Sequence, residues 1–328
     1  MKLRRLLVIL TPALLISVLA GLCFGSVPLR PTQIFQALRG AGDPNAAVIL
    51  WQLRLPRVLA GVLAGIGLAS AGTFLQSVTA NELASPNIIG INSGAGFAVI
   101  LLLAAFPNLG KLLPVGAFFG AFGAALVILL VADRLGSSRT VILLIGIAIT
   151  SILNALISCL SLLDEGILAQ YNHFTVGSLQ AVRMGELPVP AGIILMAFAV
   201  SAILANRLGI LSLGDSAAAA LGVRVKQLRV AALACAAACA AAVVSFAGLL
   251  GFVGLVVPHI AKRLVGQQPA RMLPVSALLG AITVIWADLL GRTLLAPTEL
   301  PVGILMSLIG APYFLILLCR RRPYAQLS

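Results

Sequence analysis

Catalysis needs nucleophiles, bases or metal ligands at workable spacings, and this chain of 328 residues offers few. A phosphate-binding loop reads GxxxxGK[ST], with glycine backbone wrapped round the phosphates and a lysine set against their charge. The nearest Gly-Lys pair, Gly110-Lys111, lacks both the earlier glycine and the following Ser or Thr, so the chain cannot hydrolyse ATP unaided. HExxH and GxSxG are absent, and the two histidines, His173 and His259, stand far apart in sequence. Cys23, Cys159, Cys235, Cys239 and Cys319 lie in apolar runs without a CxxC, and read most simply as small core residues. Cys235 and Cys239 are one helical turn apart and could share a ligand, but alanines surround them. Neither enzyme chemistry nor a metal or cofactor is expected in this chain.

The remaining candidates are charged residues at the ends of apolar runs. Trp51-Gln52-Leu53-Arg54-Leu55-Pro56-Arg57 sets two arginines before one such run, and Arg292 follows another. A guanidinium is a planar fork matched to carboxylates, so Arg54, Arg57 and Arg292 together could receive acidic side chains from a soluble partner. A boundary arginine that snorkels to the interface is the alternative. Asp288 is the one acidic residue of nine inside an apolar run, and Arg292 follows at i+4, where a helix sets the two side by side. That pair reads as a structural ion pair or as a proton site.

A third candidate is the stretch Asn206 to Arg229, NRLGILSLGDSAAAALGVRVKQLR. Its centre, Asp215 to Leu221, is mostly alanine, a strong helix former, with Asp215 early, where a helix N-terminus favours negative charge. Gly214 precedes it and Gly222 supplies a stop. A short helix carrying Ala218 and Leu221 would make a rigid knob for a partner; a mere connector is the alternative.

The elements that must position these residues follow from composition. Hydrophobic residues make up 61% and charged residues 9%, with a mean hydropathy of +1.12, far from the roughly half-apolar, quarter-charged make-up of soluble domains. A span takes about 20 apolar residues to cross roughly 30 Å of hydrocarbon, leaving room for about ten helices and no separate soluble domain. Apolar runs predict helices near Leu6–Phe24, Val58–Val78, Gly90–Phe106, Leu113–Val131, Val141–Leu163, Val189–Ala205, Leu273–Leu290 and Val302–Leu318. The segment from Val230 to Ala261 is too long for one span and too short for two full ones.

Charge decides that segment. Two spans there put fifteen lysines and arginines on one side and seven on the other; one span gives ten against twelve. The positive-inside rule favours two, hence ten helices with both termini cytoplasmic. Gly248, Gly251 and Gly254 would allow a short, broken helix at that point, tolerated where it is buried in protein or lines a cavity. Met1 to Ser26 is read as the first helix, with a cleaved secretory signal as the alternative. Gly61, Gly65, Gly67, Ala69 and Gly72 suit close helix packing. The net charge of +13 is spread in short groups bordering apolar runs, so nucleic acid is not an expected partner.

Over nearly its whole length the chain resembles the permeases of the iron-siderophore, haem and vitamin B12 ABC importers, the type II importers. The resemblance rests on LRLPR at Leu53–Arg57, GxxLAxAGxxLQ at Gly65–Gln76, SPNIIGINSGAG at Ser85–Gly96, GDSAAAALGV at Gly214–Val223, GFVGLVVPHIAKRL at Gly251–Leu264, LPVSALLGA at Leu273–Ala281 and ADLLGRTLLAPTELPVGILMSLIGAPYF at Ala287–Phe314. It implies an all-α fold of ten transmembrane helices, with residues 1–328 one permease domain and a cytoplasmic coupling segment at about 206–229. It implies a permease dimer of identical or paralogous subunits in the cell inner membrane, and an ATPase pair holding ATP and magnesium. A periplasmic or lipid-anchored solute-binding protein completes the set, and ferric siderophore leads haem and vitamin B12 as ligand. By similarity Arg54, Arg57 and Arg292 dock glutamates of the binding protein, while Gly214, Asp215, Ala218, Leu221 and Gly222 form the coupling motif for the ATPase. Two departures stand out: Glu82, where the family usually has Pro, and Phe174, where a Trp is common. A proton-coupled secondary transporter is the alternative class.

Overall fold

The computed structural model describes residues 2–87, 90–106, 108–135 and 139–320. Ile88 and Ile89 of the SPNIIGINSGAG motif and the tail charges Arg321 and Arg322 lie outside them. The described chain is helical, without a strand. In order the helices are α1 (Lys2–Cys23), α2 (Pro31–Leu38), α3 (Pro44–Val48), α4 (Leu55–Thr79), α5 (Ile91–Ala105), α6 (Leu113–Leu135) and α7 (Arg139–Ser161). They continue with α8 (Glu165–Val176), α9 (Pro188–Leu211), α10 (Asp215–Ala220), α11 (Val225–Ala247), α12 (Val253–Val265), α13 (Pro269–Gly291) and α14 (Val302–Arg320). A π-helical turn, Ile49–Arg54, joins α3 to α4 without a break.

Seven described helices are long and apolar enough to cross a membrane, and Ile91–Ala105 and Val302–Ile316 are shorter apolar helices. The α12 helix, thirteen residues with Lys262 and Arg263 in its last turn, falls short of a span. The expected count of ten is therefore not met by ten full-length helices. The break expected in the Val230–Ala261 region falls at Gly248–Phe252, where Gly248 (φ +68°) and Phe252 (φ +63°) both leave the helical region. Its backbone is tied to the end of α8: the Leu249 amide donates to the Phe174 carbonyl at 3.2 Å, and the Ser178 amide to that of Ala247 at 2.9 Å. Those bonds supply what an interrupted helix needs where water is scarce.

The core is built on α4, nineteen of whose residues are buried and which packs against α9, α11, α12 and α13. Its glycines are the reason. A Cβ on Gly65 would overlap the backbone of Gly280 in α13, and one on Gly72 the carbonyl of Gly254 in α12. Helices in lipid associate through such backbone-to-backbone approach, since burial of apolar surface drives little there. The α1 helix instead turns Val8, Ile9, Leu15, Ile16 and Leu19 outward, as a lipid-facing helix must.

Candidate functional site

The three arginines converge at one end of the bundle, where α1 and α13 finish and α4 begins. Each is buried, with Arg54 4% exposed, Arg57 8% and Arg292 3%. A helix ends in four carbonyls without intrahelical donors and a partial negative charge. At the end of α1 two guanidiniums meet that need: Arg54 Nη1 donates to the carbonyls of Leu22 and, at 2.7 Å, Cys23, and Arg292 Nη2 donates to that of Gly21 at 2.8 Å. Arg54 Nη2 donates to the Val27 carbonyl, which draws the chain after α1 over the cluster.

Arg57 is held by carboxylates. Its Nε donates to both oxygens of Asp288, at 2.8 and 3.0 Å, and its Nη1 to Glu299 Oε2 at 2.6 Å. Asp288 also faces Arg292 Nε at 3.5 Å, so the expected i,i+4 pair exists but is the weaker half of a buried network. Each of the three guanidiniums thus has partners within the chain. Paired charges must lose their water together, and here Arg57 and Asp288 bond each other directly while Arg292 Nε, 3.5 Å from Asp288, has no hydrogen bond among the described residues. Glu299, the group that completes the network, was not picked out from sequence. It lies in a connection without periodicity, and only its position seven residues beyond Arg292 hints at a role.

The opposite end of the bundle carries α10. Gly214 (φ +102°) and Gly222 (φ +80°) bound it in conformations that favour glycine. Asp215 accepts two hydrogen bonds from Arg229 Nη2, at 2.6 and 2.9 Å, which anchors the short helix to α11. Ala218 is fully buried beneath it. Leu213 and Leu221 are 66% and 64% exposed, and Ala219 and Ala220 are exposed between them. The result is a fixed apolar ridge on a helix that lies outside every spanning segment. Nearby, Lys226 Nζ meets Asp133 Oδ1 at 2.6 Å, tying the start of α11 to the end of α6.

Two further arrangements were missed from sequence. Glu82, in the connection from α4 to α5, accepts from Lys262 Nζ of α12 at 2.6 Å and faces His259 Nδ1 at 3.5 Å. On α7, Ser151, Asn154 and Ser158 are exposed along one stripe at helical spacing. The two serine hydroxyls donate back to carbonyls four residues earlier, at 3.0 Å each. The i, i+3, i+7 spacing was the signal available for the stripe.

The chain is similar to known proteins over nearly its whole length. The chain is 38% identical to the Fe(3+)-citrate import system permease protein YfmE of Bacillus subtilis (strain 168), over 96% of this chain and 95% of that one. It is 36% identical to the hemin transport system permease protein HmuU of Yersinia pestis, over 94% and 95%. Among solved structures, an inward-facing metal-chelate type ABC transporter superposes with a TM-score of 0.88 at 31% identity, covering 97% of this chain and 99% of that one. The model of the FecCD transport family matches residues 13–320, and with relatives this similar aligned from end to end, the protein is a member of the FecCD transport family.

Proposed function

We propose that this chain is the membrane-spanning permease subunit of an ATP-binding cassette importer for an iron chelate, ferric siderophore first, with haem or vitamin B12 as alternatives. The chain has no phosphate loop, so the energy comes from a separate ATPase pair that holds ATP and magnesium. The subunit spans the inner membrane with both termini in the cytoplasm. The observation that carries the reading is the α10 ridge: exposed leucines on a turn held rigid by Asp215 and Arg229 have no use in a solitary carrier and suit a cleft on a moving partner. Closure of the ATPase pair would push on α10 and, through its packing on α9 and α11, tilt the bundle between two access states.

Two permeases, identical or paralogous, flank the path. The α7 stripe supports this, because Asn154 in an exposed position of a spanning helix is costly against lipid and cheap against water or a second subunit. The names of the relatives, for ferric citrate and hemin, support an iron ligand. Against a proton-coupled carrier stands Asp288, which two arginines already occupy.

A periplasmic or lipid-anchored binding protein would dock at the arginine end. Since Arg54, Arg57 and Arg292 already have partners within the chain, its glutamates would act by exchange, displacing Glu299 from Arg57. Glu299 is the most exposed member of that set, its side chain 19% exposed. The deciding experiment is uptake of radio-iron chelates by proteoliposomes holding the permease with its ATPase and binding protein. Uptake that needs ATP and persists with the proton gradient clamped is expected; uptake without any ATPase overturns the reading.

A further inference from the structure

We infer a neutral hydrogen-bonding site for the oxygen-rich periphery of a ferric chelate, formed inside the bundle by Asn87, Asn92, Ser307 and the bare backbone of Gly251. The inference deepens the importer reading and rests on it.

Three non-contiguous pieces of chain meet at this point: the connection before α5, the break between α11 and α12, and the second turn of α14. Asn87 Nδ2 lies 3.7 Å, and Ser307 Oγ 3.8 Å, from where a Cβ on Gly251 would sit. Asn92 Nδ2 donates to Asn87 Oδ1, which fixes the Asn87 amide so that its NH2 group turns toward Gly251. The Ser307 hydroxyl donates to the Gly303 carbonyl at 2.9 Å, leaving its lone pairs to accept. Asn87 and Ser307 are exposed, and Gly251 and Asn92 half-buried, so the group opens on a space and is not filled from within.

The depth of the site makes this unusual. A Cβ on Gly90, at the start of α5, would stand 3.0 Å from Thr150 Oγ1 and 3.5 Å from the Gly146 carbonyl of α7. Those residues are seven and eleven positions into α7, or ~10–16 Å along its axis. Gly90 is thus inside the helical layer, and Gly254, just past the other break, faces the Leu68 carbonyl midway along α4. Irregular backbone at that depth is kept only where it is buried in protein or lines a water-filled cavity, and interrupted helices are where transporters place their ligand contacts. An exposed amide on such a segment, with an exposed hydroxyl of α14 beside it, has no role against lipid.

The chemistry selects the ligand class. Among the described residues no hydrogen bond or ion pair joins a charged side chain to Asn87, Asn92 or Ser307, so the site is built from neutral donors and acceptors, which grip a large ligand weakly enough to release it. A ferric citrate or trihydroxamate complex presents many oxygens that accept from an amide NH2 group. Haem presents an apolar rim with two carboxylates and has little to gain.

The test uses the assembled importer in proteoliposomes, with radio-iron ferric citrate and a ferric trihydroxamate as probes and binding-protein-stimulated ATP hydrolysis measured in parallel. Asn87→Leu keeps the branching at Cγ and removes the amide. Gly251→Ala puts a methyl group into the cradle at ordinary contact distances, so its folding cost is small. Uptake is expected to fall about tenfold in each, the size of about one lost hydrogen bond, with hydrolysis retained. Wild-type uptake in Gly251→Ala overturns the site, and if Asn87→Leu also loses hydrolysis, Gly251→Ala decides alone. A wild-type complex that carries hemin but neither oxygen-donor chelate overturns the site while leaving the importer intact. A wild-type complex that carries nothing overturns the importer reading itself.

Discussion

Arg57 and Asp288, 231 residues apart in sequence, are joined by two hydrogen bonds from a single nitrogen, and their side chains are 10% and 4% exposed. Removing one partner of a buried pair strands the other charge, at a cost of about 3–5 kcal/mol. Asp288→Ala is expected to lower the melting temperature of the detergent-solubilised protein sharply. Arg57→Met combined with Asp288→Leu should recover only part of that loss, because Arg292 and Glu299 are then left without their partners. A double variant no more stable than Asp288→Ala would show that the network does more than satisfy itself.

Glu82 and Lys262 bind the connection after α4 to α12 with side chains about a fifth exposed. Solvent screens such a pair, so Lys262→Met should cost no more than about 1 kcal/mol of global stability. Locally it should matter: amide exchange at Asn81–Ala84 is expected to accelerate severalfold, read by hydrogen-exchange mass spectrometry. Unchanged exchange there would mean that the chain turn holds itself without the lysine.

Gly72 and Gly61 lie on the same helix, yet only the first is indispensable. A side chain at Gly72 runs into the Gly254 carbonyl, whereas one at Gly61 meets Ile285 and Leu179 at 3.5 Å or more. Gly72→Ala should destabilise by at least about 1–3 kcal/mol, the usual cost of overpacking, and Gly61→Ala far less. Monodisperse yield on size-exclusion chromatography separates them.

On the α10 ridge, folding and binding should come apart. Gly222→Val forces a β-branched residue into a left-handed conformation, costing about 1–2 kcal/mol, although no atom stands in its way. Leu221→Ser should leave the melting temperature where it is and weaken association with the ATPase about tenfold or more. Calorimetry beside a titration of the ATPase against the solubilised permease reads both. Equal affinity in wild type and Leu221→Ser would remove α10 as the contact.

Helix identity was legible because lipid imposes a single rule, long apolar runs, and runs such as Val189–Ala205 obey it without reference to neighbours. Ridge and turn glycines in Gly214–Gly222 were legible too, since alanine propensity and flanking glycines are local. What was not legible depended on partners distant in sequence. Asp288 announces Arg292, four residues on, but nothing announces Arg57, which takes the stronger bonds. Arg54 and Arg292, read as docking candidates, also bond the carbonyls at the end of α1, which no local pattern announces. The short, broken helix that Gly248, Gly251 and Gly254 allowed is there as α12, too short to cross alone.

That half-length helix bears on how the protein is made. With thirteen residues, two of them cationic, α12 is a poor candidate to partition into the bilayer by itself as it leaves the ribosome. The helices it packs against are α4, made long before, and α13 and α14, not yet synthesised when it emerges. It must therefore linger at the translocon, or on the membrane surface, until α13 follows and the two enter as a hairpin. Truncations ending between Gly266 and Gly291 should leave α12 unintegrated, which makes the last fifth of the chain the checkpoint of biogenesis.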